Sequence, residues 1–139
     1  MYRMVIDLYE MNYYIFDMNH SELSEEFKTW HELTYPERRI FSNRTGVAMY
    51  GKKAVPYGIP PPLQGRKRKD GGGGPDFFSF GNEDGYFTVW CFEVKTLKDR
   101  MKSNQSRFAD YVLVQGGKYW IVKEQKTGGF ELIALHEKA

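Results

Sequence analysis

Glu93 and Lys95 stand two apart in the run from Tyr86 to Thr96. On a strand that spacing sends both side chains out of one face, about 7 Å apart. Unpaired charges at the end of a core strand are costly, so an acid and an amine placed there are seldom only structural. Asp76 opens the preceding strand, after Pro75, and a hairpin would fold it back beside the end of the Glu93 strand. Two carboxylates would then converge with one ammonium at the open edge of a sheet. Hard divalent cations take such a set, with few oxygen ligands from protein and the rest from water and phosphate. The carbonyl of Val94 is a further candidate ligand. A cation so held lowers the pKa of a bound water and neutralises a phosphate oxygen. Lys95 is placed to orient that water or to stabilise charge developing in the transition state. The reaction this suits is hydrolysis of a phosphodiester. Spacing alone is not specific, because ordinary surface hairpins often carry an acid-x-Lys pair.

The elements that must position these groups follow from the pattern around them. Phe77 to Phe80 reads as a strand, Gly81-Asn82-Glu83-Asp84-Gly85 as a hairpin turn, and Tyr86 to Thr96 as a longer strand. Phe87, Val89, Cys91, Glu93 and Lys95 share one side of it; Tyr86, Thr88, Trp90, Phe92 and Val94 share the other. Both sides are apolar up to Glu93, which predicts a central strand covered on both faces. Ser103 is read as the cap of a helix carrying Phe108, Val112 and Gln115 along one line, with Tyr111 beside it. Gly116-Gly117 ends that helix, and Lys118 to Lys123 is a strand. Thr127-Gly128-Gly129 is a turn, and Phe130 to Leu135 a short element that fits either type.

Upstream, Asn19-His20-Ser21-Glu22 opens a helix, with good caps and an early acid where the helix dipole favours it. Leu23, Phe27, Trp30 and Thr34 fall on one stripe, Tyr35-Pro36 ends the helix, and Arg39 to Ser42 is a strand. Residues 1–18 are apolar and aromatic without a clear period, open to strand or helix. Residues 44–75 read as a long basic loop rich in Gly and Pro, with Pro60-Pro61-Pro62, Arg66-Lys67-Arg68-Lys69 and Gly71 to Gly74. Such a stretch is either a solvated loop or an arm that contacts phosphates. The element order predicts an α/β fold, a mixed sheet with helices packed on it.

The 139 residues point to a single domain. Hydrophobic residues make up 41% and aromatics 17%, and 20 Lys+Arg against 18 Asp+Glu leave a charge of only +2, which excludes a wholly disordered chain. One cysteine, Cys91, excludes a disulfide framework and a zinc site of paired thiolates, and is read as a small buried hydrophobe. No apolar run approaches the roughly 20 residues that cross a bilayer. Asp7, Glu10 and Asp17 make the first 18 residues a poor secretory signal, so an intracellular protein without a membrane partner is expected.

Pro75-Asp76 followed by Glu93-Val94-Lys95 resembles the PD-(D/E)xK nuclease signature. Thr96, Asn104-Gln105, Phe108 and the run Gly116-Gly117-Lys118-Tyr119-Trp120-Ile121-Val122 are similar to one branch, the virus-type replication-repair nuclease family. Phe41-Ser42-Asn43-Arg44-Thr45-Gly46 looks like that family's segment ahead of its Gly-rich approach to Pro-Asp. The resemblance spans residues 21–124, specific in its second half and loose in its first. It implies a restriction-endonuclease-like α/β fold and a Mg²⁺-dependent endonuclease, with Mn²⁺ able to substitute. Asp76 and Glu93 would be metal ligands, Lys95 the catalytic lysine and Gln105 an accessory polar residue. The family also places a Glu on its first helix. At about 100° per residue Glu25 points away from the core face, leaving Glu22 and Glu26 as alternatives. Standalone members resemble Holliday-junction resolvases and act as homodimers, so branched or four-way-junction DNA is the expected partner, bound by a homodimer. Arg44, Lys52, Lys53 and Arg66, Lys67, Arg68, Lys69 would contact backbone phosphates without reading sequence. The basic insertion from Pro60 to Gly74 is longer than the family's usual approach loop, and residues 1–18 match no part of it.

Other residues have plainer readings. Trp30, Trp90 and Trp120 sit in apolar patterns and are read as core; His20, His31 and His136 are dispersed; Tyr50 and Tyr57 are candidate sugar or base contacts. Two rival functions remain: a nucleic-acid-binding module that does not cut, and a protein-interaction domain. RNA is not excluded, since nothing reads a 2′-hydroxyl.

Overall fold

A computed structural model describes residues 4–7, 12–15, 18–44, 46–57 and 74–137. The segment left open at the N-terminus contains two strands, β1 (Met4–Asp7) and β2 (Asn12–Ile15), paired antiparallel. Helix α1 (His20–Thr34) begins where expected, because the Asn19 side chain accepts the Glu22 N–H at 2.9 Å. It buries Leu23, Phe27 and His31, spaced four apart along one face. Strand β3 (Arg39–Ser42) follows.

Residues 43–75 are not featureless. Gly46–Tyr50 (β4) and Lys53–Tyr57 (β5) form an antiparallel hairpin around Gly51-Lys52. Gly51 has φ +61°, the left-handed geometry that a two-residue hairpin turn requires. The signal was obscured because Gly-Lys-Lys-Ala lacks the β-branched density of a strand and Pro56 interrupts the second run. Arg66 to Lys69 and Pro60 to Gly73 lie outside the described residues.

Strands β6 (Phe77–Glu83) and β7 (Tyr86–Lys95) pair through seven residues, with Phe77 opposite Phe92. The turn is the two residues Asp84-Gly85, not five: both have positive φ, 53° and 88°, so pairing continues to Glu83 opposite Tyr86. Helix α2 (Ser103–Val114) is capped at Lys102 rather than Ser103, since the Gln105 side chain takes the Lys102 N–H at 3.0 Å. Gly116, at φ +80°, ends it. Strand β8 (Lys118–Glu124) then runs parallel to β7, and β9 (Phe130–Ala134) antiparallel to β8, before a 3-10 turn at Leu135–Glu137. Parallel neighbours need a crossover, and α2 supplies it.

The result is a mixed α/β layer. One five-stranded sheet, ordered β3-β6-β7-β8-β9, carries α1 on one face and α2 on the other. Leu23 and Phe27 of α1 pack on Ile40, Phe77, Trp90, Phe92, Val94 and Val122 of the sheet; Phe92 and Trp120 stack at 5.0 Å. Phe108 and Ala109 of α2 pack on Phe78, Cys91 and Tyr119 of the opposite face. Trp90 is buried, with Trp30 and Trp120 packed against the same cluster, as the apolar patterns predicted. Coverage of β7 on both faces holds only from Trp90 onward. Tyr86 and Phe87 are exposed because the α1 cluster takes in β7 only from Trp90 and the α2 cluster only from Cys91. Among the described residues no helix is long and apolar enough to cross a membrane.

Candidate active site

The register delivers Asp76 to the end of β7. With Phe77 opposite Phe92, Asp76 sits one step beyond the last β6 pair. There its Oδ2 accepts the Val94 N–H at 2.7 Å, doing with a side chain what β6 would otherwise do with a carbonyl. The Val94 carbonyl leaves the strand on that same edge. Asn43, after β3, donates its N–H to the Asp76 carbonyl at 2.7 Å, fixing the backbone from the other side. His20, the first residue of α1, places Nε2 3.4 Å from Asp76 Oδ2. This contact, foremost its hydrogen bond, raises the His20 pKa.

Glu93 and Lys95 leave β7 on the α2 face and are 2% and 6% exposed. Their Oε1 and Nζ are 3.2 Å apart. Gln105, in the first turn of α2, joins both. Its Nε2 donates to Glu93 Oε1 at 2.8 Å, and its Oε1 accepts from Lys95 Nζ at 2.8 Å. The oxygens therefore sort into two kinds. Glu93 Oε1 is held by Lys95 and Gln105, and Asp76 Oδ2 by Val94 and His20. Glu93 Oε2 is buried with no hydrogen-bond partner among the described residues. Such an orphaned carboxylate oxygen carries a desolvation cost that a proton or a cation would relieve. Burial, and next the charge of Asp76, push the Glu93 carboxyl well above its usual range, against the pull of Lys95. Under this face Tyr119 is fully buried; burial first, and the Glu93 charge next, hold its hydroxyl above the normal range.

These groups line one cavity of about 530 Å³, with His20, Asp76, Glu93, Lys95 and Gln105 on its inner side. Its outer side is the loop between β7 and α2, which brings Lys98, Asp99, Arg100 and Lys102. That loop is tied down. Asp99 Oδ2 accepts from the Thr96 N–H and hydroxyl, and Lys123 Nζ donates to the Thr96 and Asp99 carbonyls. Glu124, 4% exposed, takes the Met18 N–H on one oxygen and the Leu97 N–H on the other. One buried carboxylate thus clasps the lead-in to α1 and the loop after β7.

Asp76, Glu93, Lys95 and Gln105 are brought together. Glu22 hydrogen-bonds Asn19 at the start of α1, and Glu26 is half-buried with Oε2 unpartnered among the described residues; neither lines the cavity. Arg44 is exposed and follows Asn43, which is bonded to Asp76. Lys52 and Lys53 are exposed at the β4–β5 turn, and Arg66 to Lys69 lie outside the described residues. Tyr50 is exposed, and Cys91 is buried, its thiol pushed up to about 12. Sequence reasoning passed over His20, dismissed as one of three dispersed histidines, and Glu124. It also passed over Lys98, Arg100 and Lys102, although a base at every second position directly after Glu-x-Lys is visible in the sequence.

The donors suit a hard, oxygen-seeking cation, since two carboxylates and a backbone carbonyl leave the remaining positions to water and substrate. Among the described residues no three His, Cys, Asp or Glu side chains gather as a cage that would hold an ion by themselves. No protein-family model, curated protein or solved structure matches the chain.

Proposed function

We propose that the protein is a metal-dependent nuclease of the restriction-endonuclease-like fold, related to the virus-type replication-repair family and acting on branched DNA as a homodimer. The observation that carries this reading is the asymmetry of the two carboxylates. Each has one oxygen fixed by donors, and Glu93 keeps a buried oxygen, without a hydrogen-bond partner among the described residues, beside an ammonium in an open cavity.

Asp76 and Glu93, with the Val94 carbonyl, would hold Mg²⁺ or Mn²⁺. When bound, such an ion would supply an acidified water and a counter-charge for one phosphate oxygen. Lys95 stabilises the added negative charge on the phosphorus centre, and its position is set by Glu93 and Gln105. Gln105 keeps Glu93 Oε1 occupied, so that Oε2 is the oxygen left for the ion. His20 and the Val94 N–H do the same for Asp76 Oδ2. Lys98, Arg100 and Lys102, at the outer wall, attract the phosphates flanking the scissile one.

The test is cleavage of end-labelled four-way junctions, flaps, duplexes and single strands, with Mg²⁺, Mn²⁺ or EDTA. Product on a branched substrate that requires the cation and disappears in Lys95→Ala is expected. Intact substrates throughout would defeat the proposal. Calorimetric titration of Mn²⁺ into wild type and Asp76→Asn reads the ion site independently of turnover.

A further inference from the structure

The α2 face of the sheet extends well beyond α2. The registers Arg39↔Phe80↔Val89, Phe41↔Phe78↔Cys91 and Asn82↔Phe87 put these side chains on the same face as Glu93 and Lys95. The α2 cluster takes up Phe78 and Cys91. Past it, Phe41 is 44% and Phe87 72% exposed, with Phe80 half-buried between them. The rings form a chain across three strands. Phe41 and Phe80 meet edge to face at 4.7 Å, and Phe80 and Phe87 lie at 5.8 Å. This is a row of linked apolar rings in water, which a fold has no reason to keep for its own packing.

We infer that this row is a docking surface for unpaired nucleotides of the strand being cut. The inference rests on the nuclease reading and narrows its substrate to nucleic acid with a single-stranded arm. Three features favour bases as the occupant. First, the face is continuous with the reacting centre. Phe87 is six positions from Glu93 along β7, about 20 Å, and Phe41 lies two strands across, about 12 Å from Glu93. Both distances are a few nucleotides. Second, the charge is complementary. The other side chains at the row's strand positions are Arg39, Asn82 and Val89; Glu83, which lines a cavity with Phe87 and Val89, is already held by Lys118 Nζ and Trp90 Nε1. Arg39 is exposed; its Nη1 donates to the Pro36 and Arg38 carbonyls, and its other donors have no partner among the described residues. Arg44 lies exposed just past the end of the strand that carries Phe41, and the acid of the turn, Asp84, marks the far limit of the row. Third, exposed rings interleaved with cations are the composition of surfaces that stack single-stranded bases without reading sequence.

The test uses metal-free binding, in EDTA, so that it does not depend on cleavage. A fluorescein-labelled oligothymidylate of about twelve nucleotides and a duplex of equal length are titrated by anisotropy against wild type, Phe87→Ala and Phe41→Ala. Each substitution is expected to weaken single-strand binding about tenfold and to leave duplex binding unchanged. Because Phe87 is largely exposed, its removal should not unfold the chain, and thermal melting of each variant checks this. Phe87→Trp is a second arm: it should restore single-strand affinity and show quenched fluorescence on binding. Equal losses for duplex and single strand would overturn the inference, as would unchanged affinities. So would a wild type that sediments as a dimer and dissociates on Phe87→Ala, which would make the row a contact between copies. Single-strand binding that needs Phe87 in a protein that cuts nothing would sink the nuclease and leave the docking surface standing; cleavage that is indifferent to Phe87 and Phe41 would do the reverse.

Discussion

Glu93→Gln should stabilise the metal-free protein while abolishing its response to divalent cation. The folded chain holds the Glu93 carboxyl at about 8, against an ordinary value of 4.5, mainly because it is buried and next because Asp76 is near. An acid raised in this way binds its proton more tightly folded than unfolded. Its stabilising share is therefore complete below pH 4.5 and is lost as pH rises toward 8. At pH 7 the chain is about 2.5 pH units into that window, a cost of at most about 3 kcal/mol at 1.36 kcal/mol per unit. Glutamine keeps the shape and an oxygen to accept from Lys95 Nζ and Gln105 Nε2. The pull of Lys95 is already part of that raised value, so nothing further is subtracted for it, and a net increase of about 1–3 kcal/mol is expected. Urea unfolding in EDTA at several pH values measures it. The quantity to read is the difference between variant and wild type at each pH, because other titrating groups cancel in it. That difference should grow from pH 5 to pH 8. With Mn²⁺ added at about 100 times its Kd, wild type should gain about 2.7 kcal/mol and the variant almost none. A difference flat in pH, or equal gains from Mn²⁺ in both proteins, would refute the reasoning.

Lys95→Ala should lower the cleavage rate by about 10²-fold or more and leave Mn²⁺ binding within a few fold, read by gel assay and calorimetry. Glu124→Ala strands the Met18 and Leu97 N–H groups and should cost about 2–4 kcal/mol, with faster hydrogen exchange at Leu97; exchange unchanged there would show that the clasp does not hold the loop. His31, fully buried against Ser79 Oγ at 2.8 Å, has its pKa lowered to about 4, first by burial and then by Arg38. Its contribution is complete above pH 6.5 and is lost as pH falls toward 4, at most about 3 kcal/mol, and a His31→Phe variant should lack that part of the acid slope. Gly117→Ala brings a Cβ within 2.7 Å of Val112 Cγ1 and 3.1 Å of its carbonyl oxygen, so a loss of about 1–3 kcal/mol in urea unfolding is expected.

The presence and order of α1, β3, β6, β7, α2 and β8 were legible because each element carries its own local signal; the β3–β6 and β7–β8 pairings were not. Asn19 caps one helix, Gly116 ends the other, the polar run Gly81 to Gly85 marks a hairpin whose turn narrows to Asp84-Gly85 in the fold, and period-two alternation separates Cys91, Glu93 and Lys95 from Trp90, Phe92 and Val94. The β4–β5 hairpin was not legible, since a two-residue Gly51-Lys52 turn between weak strand formers looks like loop. For the candidate site, alternation alone placed Glu93 and Lys95 on one face, and the hairpin alone returned Asp76 to them.

What remained hidden depends on groups far apart in the chain. His20 reaches Asp76 only because α1 packs its Leu23–Phe27 face on the sheet and so aims its first residue at the sheet's edge. Glu124 joins Met18 to Leu97 across 106 and 27 residues. Which oxygen of Glu93 is satisfied and which is orphaned is likewise a matter of distances between packed elements. A sequence records the period of a side chain along its own backbone, and that fixes faces and turns; solvent exclusion and hydrogen-bond partners arise only when separate layers come into contact.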